Sequence, residues 1–193
     1  MSKTRIQISS DGDDVVLTIF SLKTDSWRDY KDFLDDAKAA DAAGDLRSRN
    51  RFLRAGIFNL FAHFEAFVEE VREAENLANP HDSLHKKSKA IHDCLKKLGH
   101  KLPALNIGFS KAIRDIIAHP SLKYIRTGEQ KEVNQTMVYD TLSVEMLTEL
   151  GNRIAFWSKA VARYTKRPRL SKTLQAVKSL STQLGKPDEI KDI

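Results

Sequence analysis

An arginine and an aspartate interrupt an apolar run at Lys111-Ala112-Ile113-Arg114-Asp115-Ile116-Ile117-Ala118-His119-Pro120. A histidine closes the run and a proline follows it. Charged groups this close together on a largely apolar helix are there to be paired or to be used. Histidine moves protons near neutral pH, and arginine stabilises negative charge as it develops on an oxygen or a phosphate. The chemistry on offer is therefore acid–base catalysis beside an anion. Arg114 and His119 stand five residues apart, which puts them about 140° from each other around an ideal helix. Three features relax that divergence. The residue before a proline is driven out of the α region, so His119 peels away from the helix axis. The arginine side chain is long. Two copies of the helix across a two-fold axis would also pool two arginines and two histidines in one cleft. The same residues also fit a plain helix end, with His119 capping carbonyls and Arg114 paired with a nearby acid.

The elements around this run must hold it in place. Upstream, Leu53, Ile57, Leu60, Phe61, Phe64, Phe67, Val68 and Val71 define one wide apolar face of a helix from about Asp45 to Asn76, as expected at the centre of a bundle. Glu65 lies about 100° from the middle of that face. From there it either orients Arg114 or sits as a solvated boundary residue. His63, near the opposite edge, reads as a boundary residue too. Downstream, Leu147, Leu150, Ile154, Trp157, Val161 and Tyr164 step by three and four, which predicts a helix over residues 143–164. Trp157 is expected in the core or at a dimer seam.

Arg114-Asp115-Ile116-Ile117-Ala118-His119, on the penultimate helix of an all-helical bundle, resembles the signature of the HEPN superfamily. The Phe-rich helix from Phe58 to Val71, with Glu65 on its flank, resembles that family's first core helix. The likeness covers roughly Leu46 to Tyr164. It implies either a metal-independent ribonuclease or a non-catalytic binding module. For a ribonuclease it implies catalysis by Arg114 and His119 with Asp115 holding Arg114 or the dimer partner. The products would be a 2′,3′-cyclic phosphate and a 5′-hydroxyl. The expected partners are RNA, a second copy with the motif near the two-fold axis, and a neutralising protein such as a nucleotidyltransferase-like antitoxin. Such enzymes serve as toxins or in defence against phage. The alternative is a HEPN-like module that binds a partner protein or a nucleotide.

Composition narrows the other classes. One cysteine, Cys94, excludes an internal disulfide and fits a reducing cytoplasm. It reads as a small core residue rather than a nucleophile. One Cys with scattered His gives no zinc pattern, and sparse glycine gives no phosphate-loop fingerprint. No metal or other cofactor is expected. No apolar run reaches the roughly 18 residues that a membrane span needs, and the first residues lack a signal peptide's apolar core. Charge is uneven: residues 159–193 carry nine Lys/Arg and three Asp/Glu, a net +6 equal to the whole-chain excess. Lys86, Lys87, Lys89, Lys96, Lys97 and Lys101 form a second basic cluster. Basic patches suit a polyanion partner, but they also occur as solvated helix faces, and no aromatic residues interleave with these lysines.

The rest of the chain reads in order. Alternation over Arg5–Ile8 and Val15–Phe20 around Asp11-Gly12 predicts a β-hairpin within residues 1–22. Residues 23–166 form the helical bundle, starting with a helix from Trp27 to about Ala43 capped by Ser26. A further helix spans about Leu84 to Leu98, with Leu84, Ile91, Leu95 and Leu98 inward and Gly99 ending it. The arginine-bearing helix runs from about Ile107 to Ala118. Residues 121–142 read as a loop or second hairpin beside it, where Tyr124 and Arg126 join Lys111 as candidate RNA contacts. Residues 167–193 form a basic extension with a possible short helix at 171–184. The overall expectation is a mainly α, up-and-down bundle of four or more helices.

Overall fold

The structure is a computed structural model that describes residues 4–11, 14–77, 79–119, 124–126 and 132–165. The expected turn at residues 12–13, most of the expected loop after Pro120 and the basic extension with the short helix expected at 171–184 lie outside the described residues. The protein is a mainly helical bundle. At the N-terminus the backbones of β1 (Thr4–Asp11) and β2 (Asp14–Ser21) pair antiparallel, with Asp11 opposite Asp14.

Helix α1 (Leu22–Ala42) starts directly after β2, five residues earlier than a Ser26 cap implies. Ser26 is buried inside the helix instead. The start is fixed by Asp25, whose carboxylate accepts the Ser21 N–H at 2.9 Å from the first turn, where a negative charge favours the helix. Helix α2 (Leu46–Glu75) is the long central element. Asp45 caps it by accepting from the Ser48 N–H, and Asn76 ends it in the left-handed region at φ 52°. Helix α3 (Leu84–Lys97) is capped by Ser83 and stopped at Gly99, with φ 84°. Leu84, Ile91 and Leu95 face the core as expected, but Leu98 does not: it is 66% exposed. It falls on the C-cap, where the chain has already begun to turn away.

Helix α4 (Gly108–Ala118) carries the candidate residues. Ile107, Ala112, Ile113 and Ile116 are buried and dock it on the bundle. Short strands β3 (Tyr124–Arg126) and β4 (Glu132–Asn134) pair antiparallel next to α4. A short seven-residue helix, α5 (Gln135–Thr141), follows where only a loop or hairpin was expected; Asn134 caps it by accepting from the Met137 N–H. Helix α6 (Val144–Tyr164) closes the bundle, capped by Ser143.

The core is built around α2 and α6. Trp157 is fully buried, and the rings of Phe64 and Phe67 meet it edge-on at centroid distances of 5.6 and 6.2 Å. This makes Trp157 a core residue. Gly151 lets α1 approach α6 closely: a Cβ there would lie 1.9 Å from the Tyr30 hydroxyl, which donates to the Leu147 carbonyl at 3.2 Å. Burial drives the Tyr30 phenol up to about 12. Arg153 of α6 donates to the Asn106 carbonyl at 2.8 Å and so fixes the chain just before α4 begins. Among the described residues, no helix is long and apolar enough to cross a membrane.

Candidate functional site

Helix α4 buries the Ala112–Ile113–Ile116 face, so Arg114 falls at the edge of the buried stripe, beside α2. Its guanidinium is gripped there from several sides. Nη2 donates to Glu65 Oε1 at 3.0 Å. Nε lies 3.2 Å from Asp115 Oδ1, but in poor alignment, so this buried nitrogen makes an ion pair without a hydrogen bond. The Phe61 ring lies under the group, with Cζ 5.2 Å from its centroid. The side chain is only 20% exposed. Among the described residues, Nη1 has no hydrogen-bond partner. One nitrogen of the fork is therefore committed to Glu65.

The acids differ in what they face. Glu65 is 46% exposed, so its pairing with Arg114 stays open to water. Asp115 also pairs with Lys111 one turn earlier. Lys111 is thus drawn onto α4 by Asp115 rather than extended toward solvent.

His119 is the C-cap of α4, with φ −126° and ψ 80°. Its backbone N–H still donates to the Asp115 carbonyl at 2.9 Å, but its backbone has left the helical region, as the following proline requires. The residue is exposed. Among the described residues its ring makes no hydrogen bond with Arg114, Asp115 or Glu65. Within one chain the structure gathers Glu65, Arg114, Asp115, Lys111 and Phe61, and leaves His119 at the open end of the same helix. The backbone of Tyr124 and Arg126 lies in β3 beside α4; their side chains lie outside the described residues.

Phe61 is the contributor that sequence reasoning assigned only to the core. Its signal was positional, since it sits one turn before Glu65 and at the edge of the apolar face. His63 makes a separate structural contact. Its Nδ1 lies 2.7 Å from the Lys23 carbonyl, so Nδ1 carries the proton, and the ring rests against Trp27. Burial holds this imidazole below the usual histidine range. Cys94 is half-buried and free. No cluster of three or more His, Cys, Asp or Glu side chains placed to hold a metal ion occurs among the described residues. Comparison of the chain with models of protein families, with curated proteins and with solved structures finds no match.

Proposed function

We propose that this protein is a metal-independent endoribonuclease of HEPN type, acting as a homodimer in the cytoplasm in a toxin or phage-defence role. The observation that carries the reading is the state of Arg114: a largely buried guanidinium locked by Glu65, Asp115 and Phe61, with Nη1 unpaired among the described residues, on the helix that ends in an exposed histidine. A charge held this way needs no reorganisation when an anion forms beside it.

In the proposed reaction the RNA 2′-oxygen attacks the adjacent phosphorus. The 2′-O–P bond forms and the P–O5′ bond breaks. His119 takes the 2′-hydroxyl proton or returns one to the departing 5′-oxygen, and Arg114 Nη1 neutralises the charge that builds on the phosphoryl oxygens. Asp115 and Glu65 keep the guanidinium in place, while Lys111, Tyr124 and Arg126 contribute to holding the strand. In an isolated chain Arg114 and His119 diverge, so the reading includes a partner copy that brings a second α4 across the two-fold axis. Static light scattering at micromolar concentration is expected to give a dimer; a monomer that cuts RNA would remove this part of the proposal. The N-terminal hairpin is read as an accessory to the bundle.

The experiment is incubation of purified protein with total RNA in EDTA, followed by mapping of the ends. Cuts that leave 2′,3′-cyclic phosphate and 5′-hydroxyl ends, and that vanish in His119→Ala, are expected. If His119→Ala cuts as fast as the parent, the activity lies elsewhere, and the reading of the chain as a HEPN-like module for a partner protein or nucleotide takes over.

A further inference from the structure

Three arginines near the start of α2, unlike Arg49 beside them, have no carboxylate partner among the described residues. Arg49, Arg72, Arg114 and Arg153 each have a carboxylate within 3.4 Å. Arg47, Arg51 and Arg54 have none within 4.0 Å among the described residues. They line a common surface concavity with Asp45 and Ser48. The acid in that concavity, Asp45, is occupied with capping: the Ser48 hydrogen bond holds its carboxyl below the usual range. The first turn of α2 contains no acidic residue to complement the helix, and Arg47 stands there against the macrodipole. Among the described residues, positive charge without an acidic partner is therefore concentrated on this surface.

The same line continues to the candidate site. At 100° per residue, Arg47, Arg51, Arg54, Phe58 and Glu65 all fall within about 40° of one line along α2. From Arg47 to Glu65 that line is about 27 Å long. Phe58 is 36% exposed and makes no ring pair among the described residues. Beyond it stands Glu65, which holds Arg114. Cations first, then an exposed aromatic ring, then an anion-ready guanidinium is the arrangement that takes a single-stranded nucleic acid: arginines track the backbone and the ring stacks on an unpaired base. A duplex has no free base face for Phe58.

We infer that α2 carries a track for single-stranded RNA, in which Arg47, Arg51 and Arg54 hold successive phosphates, Phe58 stacks on a base, and the strand reaches Arg114 at the track's end; the direction of the track rests on the reading of α4 as the cutting site.

Binding of a fluorescein-labelled, single-stranded 2′-O-methyl RNA dodecamer tests this apart from cleavage, because the blocked 2′-oxygen cannot attack. Anisotropy titrations over a salt series give the slope of log K against log salt. Replacing all three arginines by glutamine is expected to flatten that slope by about 2, from roughly 0.7 per lost phosphate contact on a single strand. Phe58→Leu is expected to weaken binding roughly five- to a hundredfold at unchanged slope. Removing equal charge from α3, as Lys86→Gln/Lys89→Gln/Lys96→Gln, is expected to leave the slope unchanged. Circular dichroism controls for folding, and Arg51→Gln alone gives a milder version of the arginine test. An unchanged slope in the triple arginine variant, an equal loss from the α3 variant, or equal binding of duplex RNA unaffected by Phe58→Leu each overturns the track. A parent that binds through these arginines yet never cuts unmodified RNA keeps the track and sinks the nuclease reading. A triple arginine variant that binds and cuts like the parent does the reverse.

Discussion

Removing the Arg114 side chain should abolish cleavage while leaving the fold standing, and the geometry sets the size of both effects. Arg114→Ala deletes an ion pair to the half-exposed Glu65, a poorly aligned one to Asp115 and one stack on Phe61. An ion pair open to water contributes at most about 1 kcal/mol, and a cation over an aromatic face about 0.5–1 kcal/mol when partly exposed. The heavier cost of stranding a buried charge, about 3–5 kcal/mol, does not arise: Asp115 keeps Lys111, and Glu65 is open to solvent. The loss should be about 1–2 kcal/mol, or roughly 2–8 °C in melting temperature for a chain of this size. Activity should fall much further, by about 10²–10³, the usual effect of deleting a preorganised donor to a developing anion. Glu65 acts as a positioning residue. Glu65→Gln keeps an acceptor for Nη2 and should retain most activity, whereas Glu65→Ala frees the guanidinium and should cost up to about 10²-fold. The assay pairs initial rates on a short RNA in EDTA with thermal melts by circular dichroism. Undiminished cleavage in Arg114→Ala refutes the catalytic role. A melting temperature lowered by well over 10 °C would instead make Arg114 a structural keystone.

Gly151→Ala should destabilise the bundle by about 1–3 kcal/mol in urea denaturation. Overpacking against the Tyr30 hydroxyl, 1.9 Å from the new methyl, outweighs the gain in helix propensity of about 1 kcal/mol; an unchanged midpoint would mean that α1 slides freely on α6. His63 should make the fold acid-sensitive. Its ring is held below the usual range when folded, so the unfolded chain protonates first. Stability from this group is intact above about pH 6.5 and drains away below it, by at most about 1.4 kcal/mol per pH unit, until the folded ring also protonates. Denaturation midpoints at pH 7.5, 6.5 and 5.5 should diverge less in His63→Phe than in the parent, and equal divergence would place the acid sensitivity elsewhere.

The helices were legible wherever burial and chain punctuation agree. Asp45, Ser83 and Ser143 cap where side-chain oxygens precede apolar stripes, and Asn76 and Gly99 end helices in left-handed geometry. Ser26 misled because serine also suits a helix interior when buried, and Asp25 supplied the better start. Helix α5 was missed because its seven residues are too few for periodicity to speak, although Asn134 carried the cap signal. In the site, spacing placed Glu65 and Arg114 at the edges of two apolar faces, and when those faces pack in one core their edges meet at 3.0 Å. What spacing did not reveal is how the guanidinium is held, because that depends on Phe61 and Asp115 together. The departure of His119 from helical backbone was legible from Pro120 alone, since a local steric rule disfavours the α region there whatever the tertiary structure. Under the nuclease proposal, an exposed His119 that makes no hydrogen bond with Arg114 among the described residues leaves one chain short of a full site. On that proposal a transesterification needs a fixed cation and a proton carrier at one phosphate, and a second α4 facing the first across a two-fold axis would supply both.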